Sequence, residues 1–161
     1  MKSKAIRRDP QALQALTTVG TVIVASTDAG PFTQIMLDGR HTLQADEPIA
    51  AGGGDAGPGP YELLLMALGS CTSMTIRLYA ARKKWPLEQV VVRLQHARVH
   101  AEDCADCEHT KAMLDRIERN IEFIGPLDEA QRVRLLEVAD KCPVHRTLTS
   151  KIDIRTTLVS S

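Results

Sequence analysis

Four cysteines carry the distinctive chemistry of this sequence, and they fall into two unlike settings. Cys71 and Cys142 each stand alone, the first inside a long apolar segment and the second directly before Pro143. Cys104 and Cys107 form a CxxC within the acidic stretch AEDCADCEH. A chain of this size without an export signal uses cysteines more naturally as thiols or metal ligands than as a disulfide framework. Around the CxxC, Glu102, Asp103, Asp106 and Glu108 oppose a reactive thiolate and suit a cation instead. Cys104 and Cys107 with His100 or His109 make a candidate zinc set, with an inert loop pair or thiol exchange as the alternatives. If 96 to 100 is extended, His96 and His100 lie about 13 Å apart and cannot share one ion.

Cys142 precedes a proline and suits the N-cap of a short helix, where backbone N–H groups and the helix dipole favour a thiolate. Cys71 has no such help. It lies about three turns into its helix, beyond the reach of the dipole, so a break at Gly69-Ser70 or a nearby cation has to serve it. His145 is close enough in sequence to Cys142 to be a proton donor or a capping residue.

The elements that hold these residues read as follows. The first 18 residues form an extended or frayed arm, and 19–161 form a single domain, since 161 residues with 43% apolar content can bury one real core. TVGTVIVAST, FTQIMLD and RHTLQAD are three strands of an antiparallel meander, with a tight turn at Asp38-Gly39. The Gly-rich stretch from Ala50 to Gly59 lacks the lysine and hydroxyl residue of a phosphate-binding loop. A helix runs from Pro60 to Lys84; between Leu63 and Leu68 it is apolar all round, which predicts burial on every side. Leu64, Leu68, Cys71, Thr75 and Leu78 share one stripe.

VVVRLQHARVH is a strand, and in KAMLDRIERNIEFI the apolar repeat Met113, Ile117, Ile121 and Ile124, read as a four-residue step, predicts an amphipathic helix up to the Gly125-Pro126 stop. Asp128 with Gln131 three residues on marks a helix start. That helix is expected to pack through Val133, Leu135, Leu136 and Val138, and KIDIRTTLV is read as a strand rejoining the sheet. Strands grouped early and helices grouped later give an α+β class. Balanced charge, 20 acidic and 20 basic side chains, with no basic run interleaved with aromatics, argues against nucleic acid and anionic membrane partners. No long apolar leader follows MKSKAIRRDP, so a cytoplasmic location is expected.

GPGPYELLLMALGSCTSMTIRLYA and, 71 residues after its cysteine, DKCPVHRTL together resemble the two cysteine motifs of the OsmC/Ohr family of thiol peroxidases. The order of elements fits that family along nearly the whole chain after residue 18. The resemblance implies an OsmC-like fold, in which antiparallel sheet wraps around long central helices of an intertwined homodimer. It also implies that Cys71 attacks an organic hydroperoxide and that Cys142 closes a disulfide, with an external dithiol as reductant and no haem, flavin or nicotinamide. A thiolate that cleaves a peroxide becomes a sulfenic acid, and a nearby second thiol captures it before over-oxidation.

Relatives place an arginine near the first strand turn and a glutamate directly after the helix-start proline, and the pair holds the reactive thiolate. Here Tyr61 follows Pro60, Glu62 comes one place later, and Ser26 to Pro31 holds no arginine. Glu62 and Arg40 are the nearest candidates for those roles, with Arg77 and Arg146 as further cations. The competing reading is a dimeric small-ligand-binding or redox-sensing protein on the same fold.

Overall fold

In the computed structural model, which describes residues 9–100 and 113–159, the chain divides between Leu63 and Leu64 into two compact units. In the first, residues 10–14, which the sequence placed in an extended or frayed arm, form a short helix, α1 (Pro10–Gln14), which the Asp9 carboxylate caps by accepting from the Ala12 N–H at 2.9 Å. Three strands follow as an antiparallel meander in the order β1 (Ile23–Ser26), β2 (Gln34–Leu37) and β3 (Thr42–Ala45). Met36 pairs with Val24 on one side and with Leu43 on the other. At the β2–β3 turn the Asp38 carboxylate accepts from the backbone N–H groups of Arg40 and His41 and pairs with the His41 ring. These bonds, the His41 ring first, hold that carboxyl far below its ordinary range.

The Gly-rich stretch winds around a buried carboxylate. Asp46 is 2% exposed and accepts hydrogen bonds from the Thr33 hydroxyl and from the N–H groups of Glu47, Gly54 and Ala56. Gly53 is needed for that winding, since a Cβ there would lie 1.9 Å from the Glu47 carbonyl oxygen. Burial alone would raise the Asp46 carboxyl, but these donors outweigh it and the group titrates below its ordinary value. A depressed carboxyl stabilises the fold above its unfolded-state pKa, and that contribution is lost as pH falls through the folded value. Asp46→Asn is therefore expected to lower the thermal midpoint by several degrees near neutrality. Thermal scans from about pH 7 down to about pH 3 should show the gap between mutant and wild type closing at the acid end.

The second unit contains most of the 24-residue helix α2 (Pro60–Lys83), a two-stranded antiparallel ribbon of β4 (Gln89–His100) and β5 (Met113–Ile124), and the helices α3 (Glu129–Ala139) and α4 (Pro143–Leu148). Its core joins Ile76 and Ala80 of α2 to Leu135, Val138 and Ala139 of α3, with Leu127, Trp85 and the ribbon residues Val90, Ile121 and Phe123 around them. The predicted capping box is present at α3: Asp128 accepts from the Gln131 N–H, and the Gln131 side chain accepts from the Asp128 N–H. Leu135 and Val138 are buried as expected, whereas Val133 and Leu136 face outward.

Antiparallel sheets with one long helix bear out the α+β class. Further local expectations are corrected. Met113 to Ile124 is a strand, not a helix, paired along its whole length with β4. A four-residue step fits both structures, because residues four apart share a helix face and, four being even, also share a strand face. Lys151 to Val159 forms no strand, and Ile154 and Leu158 are almost fully exposed. α2 is not buried on every side: Leu68, Gly69, Thr72, Ile76 and Ala80 are buried, while Tyr61, Met66, Met74 and Leu78 are more than half exposed. The helix also runs unbroken through Gly69, where a Cβ would lie 2.8 Å from the Leu94 side chain, so this glycine serves the close approach of α2 to β4.

Candidate active site

Cys142 is fully buried and caps α4, as the sequence predicts. Its Sγ accepts from the His145 N–H at 3.2 Å, and Pro143, lacking an N–H, offers no competing donor. The same sulfur lies 3.7 Å from Oγ1 of Thr72, which is also fully buried. Thr72 is the residue after Cys71, so the Cys142 sulfur packs against α2 one position along the chain from Cys71. Both are free thiols, and Cys71 is partly exposed.

The cation of this cluster comes from a position that sequence reading passed over. Arg119 of β5, 13% exposed, donates from Nη1 to Thr72 Oγ1 at 3.0 Å and to the Ala139 carbonyl at 3.4 Å. Its Nη2 pairs with Asp140 at 2.6 Å. The guanidinium thus satisfies a terminal carbonyl of α3 while reaching the residue next to Cys71. His145 Nδ1 stands 4.0 Å from the same Asp140 oxygen. The signal for Arg119 was the period of two: it alternates with Ile117 and Ile121 on the inward face of β5, and the helical reading of that segment concealed it.

Beside the cluster is a cleft of about 260 Å³, near the lower end of the size of small-molecule sites. Leu68, Ile117 and Leu148 give it apolar walls, and Arg119, His145, Thr149 and Asp115 give polar ones. Asp115 is also held by His96 at 2.9 Å across the ribbon.

Arg40 sits on the exposed β2–β3 turn and Glu62 in the first turn of α2, both in the first unit. The Glu62 carboxylate folds back over Gly59, where a Cβ would lie 2.6 Å from its Oε2. Arg77 donates to the Glu88 carbonyl at 3.1 Å, and Arg146 is exposed on α4. Cys104, Cys107 and the side chain of His100 lie outside the described residues, so the candidate zinc set does too. Among the described residues no three His, Cys, Asp or Glu side chains are grouped to hold a metal.

The chain is thus α+β, with one free thiol on α2 and another at the start of α4. The family model described as OsmC-like protein matches residues 52–157, and the chain belongs to that family. Solved structures agree on the fold. An OsmC-like protein from Mycoplasma pneumoniae superposes with a TM-score of 0.63 at 21% identity, covering 87% of this chain and 96% of that one. An organic hydroperoxide resistance protein OsmC from Legionella pneumophila gives 0.58 at 19% identity, covering 85% and 95%. The organic hydroperoxide resistance protein OhrB of Bacillus subtilis gives 0.56 at 17% identity, covering 83% and 92%. No curated protein matches the chain.

Proposed function

We propose that this protein is a cytoplasmic, homodimeric, thiol-dependent peroxidase that reduces organic hydroperoxides in defence against oxidative stress. The observation that carries the reading is the contact of the Cys142 sulfur with Thr72, the neighbour of Cys71, while both thiols are free. Membership of the OsmC-like family supports it, as does the likeness of fold to two proteins named for organic hydroperoxide resistance.

In the proposed cycle the Cys71 thiolate attacks the outer oxygen of ROOH. The O–O bond breaks, ROH leaves with a proton, and Cys71 becomes a sulfenic acid. The Cys142 thiol displaces the hydroxyl of that acid, forming the disulfide and releasing water. An external dithiol then returns both cysteines to thiols and leaves as its own disulfide. Every electron in this cycle comes from sulfur, so it draws on no haem, flavin, nicotinamide or metal. The apolar walls of the cleft suit the organic part of a hydroperoxide, which bare hydrogen peroxide lacks.

A homodimer accounts for the exposed apolar face of α2 and the unpaired C-terminal segment, since a second copy can cover the one and pair with the other. The test is consumption of cumene hydroperoxide with a dithiol, with hydrogen peroxide as the comparison. Turnover no faster than the dithiol alone removes the peroxidase reading.

A further inference from the structure

The hydrogen-bond directions at Cys142 bear on how its disulfide would be reopened, a question that rests on the two-cysteine cycle proposed above. A guanidinium can only donate. At the 3.0 Å contact Thr72 Oγ1 must therefore accept from Arg119, which leaves the Thr72 hydroxyl proton free to point at Cys142 Sγ, 3.7 Å away. The His145 N–H supplies a second donor to the same sulfur. Cys142 thus accepts from two donors in a fully buried position, one of them polarised by a nearly buried cation. In the single chain Cys71 is partly exposed, on the flank of α2, and no hydrogen bond reaches its sulfur among the described residues.

Thiol–disulfide exchange requires one accessible sulfur to attack and one sulfur able to leave with the electron pair. The two cysteines are unequal in both respects. We propose that the reductant attacks Cys71 and that Cys142 is the leaving sulfur, received by the Thr72 hydroxyl and the His145 N–H. Thr72 is then a catalytic residue, touching the departing atom, and Arg119 a positioning residue that acts through it. In the first exchange the reductant thiolate bonds to Cys71 Sγ, the Cys71–Cys142 bond breaks, and the pair passes to Cys142 as a thiolate. The second thiol of the reductant then attacks the mixed disulfide, closes the reductant's own disulfide and frees Cys71. The two protons of the dithiol restore the two cysteines as thiols.

The experiment oxidises the full chain with diamide, so that the disulfide forms without any peroxide chemistry. Reduction is started with glutathione and quenched with N-ethylmaleimide, and the glutathionylated peptide is located by mass spectrometry. Glutathione is expected on Cys71 with maleimide on Cys142. Glutathione on Cys142, or no Cys71–Cys142 disulfide at all, overturns the proposal. Thr72→Val keeps the side-chain shape but removes the donor, and should slow reduction by roughly ten- to a hundredfold, with Thr72→Ser restoring it. Arg119→Met should slow it too, with Arg119→Lys recovering part of the loss. Unchanged reduction in folded Thr72→Val also overturns the proposal. Should Thr72→Val fail to fold, the wild-type labelling pattern still decides. A chain that passes this test yet does not consume cumene hydroperoxide would sink the peroxidase reading and leave the reduction order standing.

Discussion

Cys71→Ser is expected to bring cumene hydroperoxide consumption down to the rate of the dithiol alone, because a serine hydroxyl is not ionised near neutrality and cannot replace the thiolate at the O–O bond. Cys142→Ser should behave differently. The first attack is retained, so one equivalent of peroxide is consumed, but the Cys71 sulfenic acid then has no internal partner and advances to sulfinic acid with further peroxide. Trapping with dimedone and intact-mass measurement separates the two variants. Equal turnover by wild type and Cys71→Ser would contradict the assignment of the nucleophile. Sustained turnover by Cys142→Ser at the wild-type rate would show that the second thiol is dispensable.

The second large effect concerns assembly. Met66, Met74 and Leu78 are 56%, 69% and 54% exposed on one side of α2, while the opposite side is packed against the rest of its unit. An exposed apolar stripe on the longest helix marks an interaction surface. In a two-fold dimer a residue near the axis meets its own copy, so one substitution is felt twice. Met74→Glu would bury two carboxylates without partners, at several kcal/mol each, and is expected to weaken association by roughly a thousandfold or more. Light scattering should give twice the 17.6 kDa chain mass for the wild type and the single-chain mass for the variant. A wild type that is monomeric at micromolar concentration would refute the dimer.

Much of the framework was legible because it is local. The Asp38-Gly39 turn, the long helix closed by Trp85-Pro86, the Asp128 and Gln131 box and the cap at Cys142 each depend on a few adjacent residues. What was hidden depends on chain brought from a distance. β5 could not be told from a helix by the spacing of Ile117 and Ile121, because the deciding fact is its pairing with β4, in which Ile117 faces His96 and Arg119 faces Leu94. Read as a helix, the segment gave no reason to single out Arg119; as a strand, it turns Arg119 inward to Thr72. The C-terminal alternation from Lys151 onward was real, but among the described residues it pairs with no strand, and alternation alone does not make a strand without that pairing.

The sulfur of Cys142 does two jobs, since it is both a proposed reacting atom and the acceptor that starts α4. That helix has only six residues, little more than one turn, and isolated turns of that length have no cooperative reserve of their own. In the proposed disulfide the Cys142 sulfur would keep two lone pairs and could still accept from the His145 N–H, but a bond to α2 would then fix where α4 begins.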